Sequence, residues 1–179
     1  MHPRVAELLN YAQLQRVALL EGVSLIPEPL RGHRVDSETW SAGEVIEHLY
    51  LVEGSIARLI ARSVERARAE GLELEDEAGS VMGSLDSVRI TDRSRRIIAP
   101  ERVMPRGELT ADQGLAALKE SRHALVSALE GGNGLALGRI AQAHPLLGPL
   151  NLYQWVLFVG QHEARHAGQL QDLARRLTT

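Results

Sequence analysis

The C-terminal segment 161–173, with the sequence QHEARHAGQLQDL, places two histidines four residues apart on the apolar face of a predicted helix. That face carries Trp155, Val159, Leu170, Leu173 and Leu177. His162 and His166 fall on it, and side chains at positions i and i+4 lie one above the other, so both imidazoles are expected to point inward. A buried imidazole without a partner costs about 1–3 kcal/mol. Two inward imidazoles need an explanation, and two rings placed in this way can share one metal ion.

The second predicted helix has the clearest start signal in the chain. Ser41 is a favourable N-cap, Glu44 completes a capping box three residues later, and Trp40 can pack on Val45 as a hydrophobic staple. His48 lies three residues after Val45 on the same inward face. It is a third candidate metal ligand, although a single histidine on an apolar face is more commonly a hydrogen-bonded core residue.

Four segments have the periodicity of long helices. We predict them at residues 3–22, 41–70, 110–131 and 151–177. The last two also begin with capping boxes, formed by Thr110 with Gln113 and by Asn151 with Gln154. No strand alternation is long enough to predict a β-strand.

Residues 71–109 break this periodicity and connect the second helix to the third. A connection of nearly forty residues is too long for a tight antiparallel turn, but it can cross the length of a bundle and let the third helix run parallel to the second. One or two further helical turns are expected within 135–142, and His144 is assigned to the turn-rich link that follows. The sequence predicts one all-α domain over residues 1–179, a four-helix bundle with a long crossover.

Composition limits the classes of function. The net charge is −3 without a concentrated basic run, which argues against nucleic acid as a partner, and the cluster Arg93, Arg95 and Arg96 is more typical of a solvated face than of an anion site. There is no cysteine, so histidine and carboxylate remain as metal ligands. No uninterrupted run of 18 apolar residues occurs, and the N-terminus lacks a signal-peptide pattern. We expect a cytoplasmic protein without a membrane partner.

The three histidines form the strongest candidate site. In a helical bundle, metal sites are built from side chains on facing helices, so His48, His162 and His166 can supply three nitrogens to one divalent ion. Zinc or nickel fits best, and iron or copper is also compatible with imidazole ligands. Such an ion would lower the pKa of a bound water or thiol. The alternative is that the histidines are solvated or hydrogen-bonded core residues.

Three stretches carry a resemblance to a known family. They are WSAGEVIEHLYLVE from Trp40, APERVMPRGELT from Ala99 and HPLLGPLNLYQWVLFVGQHEARHAGQL from His144. Together they resemble the DinB-like superfamily, including its thiol-transferase members, and the resemblance covers most of the chain.

The resemblance implies a four-helix bundle in up-down-down-up order, commonly homodimeric, with a divalent metal bound by one histidine of the second helix and an H-x-x-x-H pair of the last. By resemblance these ligands are His48, His162 and His166. Family members with known activity conjugate low-molecular-weight thiols such as bacillithiol or mycothiol, and a related branch isomerises maleylpyruvate. We therefore expect a metal-dependent transferase that takes a small-molecule thiol and an electrophilic co-substrate.

Two other classes of function remain open. HEARH fits the H-E-x-x-H motif of zincin metallopeptidases, with Glu163 as the general base, but after His166 the chain offers only Asp172 as a carboxylate and no further histidine as third ligand. The second alternative is a non-catalytic module in which a metal, or the histidine cluster itself, ties two helices together.

Several charged residues have two possible roles. Glu44 can complete the capping box or orient His48, and the capping box is favoured. Arg122 and Arg165 can bind substrate carboxylates, but surface or interhelix salt bridges are favoured. Glu163, the one catalytic candidate, is expected either to move protons or to face solvent.

Overall fold

The computed structural model describes residues 1–178. Its four long helices are α1 (Pro3–Ser24), α2 (Ala42–Ala69), α3 (Ala111–Gly131) and α4 (Leu152–Leu177). Short 3-10 helices occupy Glu28–Leu30, Met82–Val88, Glu101–Val103 and Leu137–Arg139. The prediction of an all-α fold is confirmed. None of the helices within residues 1–178 combines the length and apolarity that crossing a membrane requires.

The three predicted capping boxes define where the last three helices begin. At α2 the Glu44 backbone N–H donates to Ser41 Oγ over 3.2 Å, and the Ser41 N–H donates to Glu44 Oε2 over 2.9 Å. Thr110 with Gln113 and Asn151 with Gln154 form the same reciprocal pairs. The starts of these helices were predictable because a capping box is a local interaction.

Replacing Ser41 with alanine is expected to lower the free energy of unfolding by about 1 kcal/mol. Ser41 is buried, so the Glu44 N–H would lose its acceptor without gaining full access to water. Urea unfolding followed by circular dichroism measures the change. Ser37→Ala, in the exposed loop before the helix, is the matched control and should change little; equal losses in both variants would contradict this role of the cap.

Contacts between glycines and the facing helix give the direction of α3. Gly114, near the start of α3, lies against Ile46 near the start of α2. Gly132, just after the end of α3, lies against Val64 near the end of α2. These contacts have α3 running in the same direction as α2, with the 70–110 connection passing between their opposite ends.

A short hairpin precedes α4, where the sequence predicted only a turn-rich link. Strand β1 (Ala141–His144) pairs antiparallel with β2 (Gly148–Asn151). The prediction of no strand was wrong here because each strand has four residues and Leu150 is the single buried side chain among them, which leaves no alternation to detect. His144 does serve the turn, since its Nδ1 accepts hydrogen bonds from the backbone N–H groups of Leu146 and Leu147.

The core contains two apolar clusters that follow one another along the bundle. One includes Leu8, Ile56, Leu125 and Val156, and the other includes Leu19, Leu49, Leu118 and Leu170. On each helix one buried charged residue lies between members of the two clusters: Arg16, Glu53, Arg122 and Glu163. We call these four residues the charged layer.

The charged layer is a closed set of ion pairs contributed by all four helices. Arg16 Nη2 lies 2.6 Å from Glu163 Oε1 and 2.8 Å from Glu53 Oε2. Arg122 Nε lies 2.5 Å from Glu53 Oε1, and its Nη2 lies 2.8 Å from Glu163 Oε2. Ser121 Oγ donates to Glu53 over 2.6 Å, and each arginine also donates to a backbone carbonyl of the facing helix. Two positive and two negative charges are therefore buried together with their hydrogen bonds satisfied.

Candidate metal centre

Helices α2 and α4 bring the three predicted histidines to one point. His162 Nε2 lies 3.3 Å from His48 Nε2 and 3.1 Å from His166 Nε2. One nitrogen from each ring lies within 4.8 Å of the other two. Nitrogens bound to one tetrahedral zinc ion at about 2.0–2.1 Å are about 3.3 Å apart. The two Nε2–Nε2 distances from His162 therefore fit ligands of a single ion.

Hydrogen bonds at the outer nitrogens hold two of these rings in the orientation that ligation needs. His48 Nδ1 lies 2.7 Å from the backbone oxygen of Val103, and His166 Nδ1 lies 2.8 Å from Gln169 Oε1. Both partners are acceptors, so the proton sits on Nδ1 and the Nε2 lone pair faces the common centre. Metal-binding histidines are usually oriented in this way by groups behind them.

Burial keeps the three imidazoles neutral, which is the form that binds a metal ion. It lowers the pKa of His48, and together with the neighbouring His48 it lowers the pKa of His166 to about 3. The pKa of His162 is also lowered well below its usual value, first by burial and then by the other two rings. Near pH 7 the centre therefore offers three lone pairs and no positive charge of its own.

Aromatic side chains pack against the same rings. The Phe158 ring stacks on His162, with 5.2 Å between centroids and 15° between planes. The Trp40 ring lies 5.0 Å from His48. These contacts restrict rotation of the His162 and His48 rings.

The three histidines line a cavity of about 1380 Å³ between the helices and the crossover segment. Its lining includes the apolar side chains of Trp155, Phe158, Ile97, Ile98 and Leu146. A ligand pocket is commonly about 300–1,000 Å³, so this space is large enough for a substrate beside a metal ion.

Comparison with known proteins identifies the family. The family model described as the DinB superfamily matches residues 4–170. The chain belongs to the DinB superfamily. A relative from Bacillus subtilis (strain 168), Uncharacterized protein YuaE, is 24% identical over 171 residues, which cover 95% of this chain and 97% of the relative. No solved structure gives a significant match. Membership in the DinB superfamily and the three-histidine cluster are together compatible with a metal-binding protein.

Glu163 was expected either to move protons or to face solvent. The structure shows that it does not face solvent. The residue is 1% exposed, and its two carboxylate oxygens bind Arg16 and Arg122 in the charged layer. Successive residues are 100° apart around a helix, so the rotation that turns His162 toward the cavity turns Glu163 toward α1 and α3. Burial raises the pKa of Glu163, and the two guanidinium groups oppose that change.

The other residues with two possible roles have defined partners. Glu44 completes the capping box, as predicted, and also binds Arg34. Arg122 forms the interhelix salt bridges that the sequence favoured. Within residues 1–178 Arg165 forms no salt bridge, so that expectation is wrong, while its binding of a substrate carboxylate stays a prediction. Its guanidinium donates to backbone oxygens of the crossover, those of residues 90, 92 and 95, and so anchors that segment beside the histidines.

The sequence did not lead us to the residues that hydrogen-bond to the Nδ1 atoms of His48 and His166. Gln169 is three residues after His166, a spacing that places the two side chains together on a helix and that the sequence does show. Val103 acts through its backbone oxygen, and it is 55 residues from His48 in the chain, so only the folded crossover brings it into place.

Proposed function

We propose that His48, His162 and His166 bind one divalent metal ion, and that this centre activates a low-molecular-weight thiol for transfer to an electrophilic co-substrate. The observation that carries the proposal is the convergence of three neutral Nε2 atoms, at ion-binding spacing, on the wall of an open cavity. Three imidazoles without a thiolate or carboxylate suit zinc or nickel, and also iron or copper.

A bound divalent ion supplies a Lewis acid that lowers the pKa of a coordinated thiol, so that the sulfur is a nucleophile near neutral pH. The chain's own residues prepare the site for that chemistry. Val103 and Gln169 hold the His48 and His166 rings, while Phe158 and Trp155 form an apolar wall beside them. In the transfer, the thiol proton is lost to solvent, the sulfur forms the new bond to carbon, and the leaving group of the electrophile departs with its bonding electrons.

The geometry argues against a zincin peptidase. A zincin needs the glutamate of H-E-x-x-H beside the metal-bound water. Here both oxygens of Glu163 bind arginines in the charged layer, and the third histidine comes from α2, upstream of the motif. A non-catalytic metal site that joins α2 to α4 remains the competing proposal. An activity measurement distinguishes it from the thiol-transfer proposal.

The reaction is tested by following free thiol in the presence of an alkylating electrophile, with zinc-loaded and nickel-loaded protein. We expect metal-dependent thiol loss in the wild type and loss near the background rate in His166→Ala. A protein that binds metal but never accelerates thiol loss would favour the non-catalytic module. Peptide hydrolysis is measured in parallel, because metal-dependent cleavage by the wild-type protein would favour the peptidase.

The homodimer, the cytoplasmic location and the absence of nucleic-acid and membrane partners stay predictions. Light scattering on size-exclusion fractions tests the first of them directly.

A further inference from the structure

We propose that the cavity beside the three histidines binds the anionic part of its substrate through Arg58, Arg62 and Arg102. The inference deepens the proposed function, and rests on it, because it assigns a substrate class to the same site: a small molecule that carries carboxylate or phosphate groups at a distance from its reacting sulfur.

The cavity has a charge opposite to that of the chain. The whole sequence has 20 basic and 23 acidic residues. Among residues 1–178, the lining of the cavity includes eight arginines and three carboxylates. Basic side chains are therefore concentrated around this space, and a cavity lined by one sign of charge raises the local concentration of ligands of the opposite sign.

The three carboxylates are already paired with other arginines of the lining. The pairs are Arg89 with Asp92 at 3.2 Å, Arg93 with Asp172 at 2.8 Å and Arg96 with Glu38 at 2.9 Å. Arg165 is engaged by the crossover backbone. Within the described part of the chain, Arg58, Arg62, Arg95 and Arg102 of this lining have no carboxylate within salt-bridge distance. Their guanidinium groups are available for a bound anion.

Two of these arginines form a pair on one helix face. Arg58 and Arg62 are four residues apart on α2, which places them side by side. Arg58 is ten residues after His48, about 15 Å along the helix axis. Its Nη2 donates to Ser55 Oγ over 3.3 Å, so the guanidinium is turned back toward the histidines. An anion bound here would lie roughly 10–15 Å from the metal centre.

Arg102 approaches the centre from the crossover. It precedes Val103, the residue whose oxygen binds His48. Burial, and after it the charge of Arg102, lowers the pKa of His144 to about 4. The His144 ring lies 4.7 Å from Phe158, which stacks on His162. Arg102 therefore places positive charge near His144, on the part of the cavity wall that also holds Phe158.

Guanidinium groups bind carboxylate and phosphate through paired, charge-assisted hydrogen bonds, which are stronger than neutral ones. Together the three arginines fit a substrate whose sulfur reaches the metal while its anionic groups lie along the cavity. An extended peptide of four residues spans about 13 Å, which matches that separation.

The test compares two peptide probes that differ only in charge, acetyl-Cys-Gly-Glu-Glu-amide and acetyl-Cys-Gly-Gln-Gln-amide, each with the same uncharged fluorophore. Fluorescence anisotropy measures their binding to metal-free and cobalt-loaded full-length protein. We expect the acidic probe to bind at least about 10-fold more tightly than the neutral one. In the triple variant R58Q/R62Q/R102Q the two affinities should agree within about twofold.

The matched control is R66Q/R68Q/R106Q, which removes three exposed arginines that do not line the cavity. This variant should keep the preference for the acidic probe. Equal binding of both probes by the wild type, or an equal loss of preference in the two triple variants, would overturn the proposal. Succinate and inorganic phosphate are added as competitors, and the one that displaces the acidic probe at lower concentration identifies the preferred anionic group.

A separate measurement distinguishes failure of the proposed function from failure of this inference. Absorption of a cobalt–thiolate complex reports whether the probe sulfur reaches the metal. If cobalt binds but this band never forms, the thiol proposal fails, while the anisotropy of metal-free protein still decides the role of the three arginines.

Discussion

Replacing either His48 or His166 with alanine is expected to reduce bound metal from about one ion per chain to near zero. Each variant leaves only two of the three imidazoles whose Nε2 atoms lie at ligand spacing, which is too few to hold the ion tightly. The measurement is elemental analysis of protein purified without a histidine tag and then incubated with zinc or nickel. We expect the affinity for the metal to fall by orders of magnitude. Even the loss of a residue that only hydrogen-bonds to a metal ligand commonly lowers metal affinity by about 10–100-fold.

The control for this experiment is His123→Ala on α3, where the side chain is 63% exposed and far from the cluster in the chain. It should retain the metal. Circular dichroism must show that the ligand variants keep their helices, because the two apolar clusters of the core are unchanged in them. Stoichiometric metal in His48→Ala, or no metal in the wild type after zinc and nickel are added, would rule out the site.

Replacing Glu163 with glutamine is expected to lower the free energy of unfolding by about 3–5 kcal/mol. The change removes one negative charge from the charged layer and leaves Arg16 and Arg122 to share Glu53 in a site without solvent. Since whole domains are stable by about 5–15 kcal/mol, the variant would be close to unfolding. Urea unfolding gives the value.

Glu65→Gln is the control for that variant, because Glu65 is exposed on α2 and its loss should change the stability by less than about 0.5 kcal/mol. If Glu163→Gln does not fold, the double variant Arg122→Met, Glu163→Met keeps the prediction testable. It removes one charge of each sign and should be more stable than either single variant. A double variant no more stable than the single ones would contradict the account of the charged layer as a balanced set of charges.

These two predictions assign different roles to the histidines and the glutamate of the HEARH motif. HEARH suggests a peptidase because a histidine and a glutamate are adjacent in it. On the helix, His162 faces the cavity and Glu163 faces the bundle interior. We therefore expect the His166 variant to lose metal and keep its fold, and the Glu163 variant to lose stability without a direct effect on the ligands.

Much of the fold was predictable because its signals are local. The capping boxes at Ser41, Thr110 and Asn151 mark the starts of three helices, and each needs only four consecutive residues. The inward placement of His162 and His166 follows from helical spacing in the same way. The hairpin before α4 escaped prediction because its pairing depends on a turn and one buried leucine, which leave no periodic pattern.

The sequence by itself determined the four helices, the caps of the last three and the inward placement of three histidines, because helix geometry fixes which side chains share a face. Only the tertiary structure decided what those faces meet. Arg16 reaches Glu163 across 147 residues of chain, and Glu53 across 37. The backbone oxygen of Val103 likewise contacts His48 from a distant part of the chain. The arginines Arg58, Arg62 and Arg102 reach one cavity from α2 and the crossover. Such contacts join residues far apart in the chain, and no local pattern encodes them, so they appear only when the helices pack.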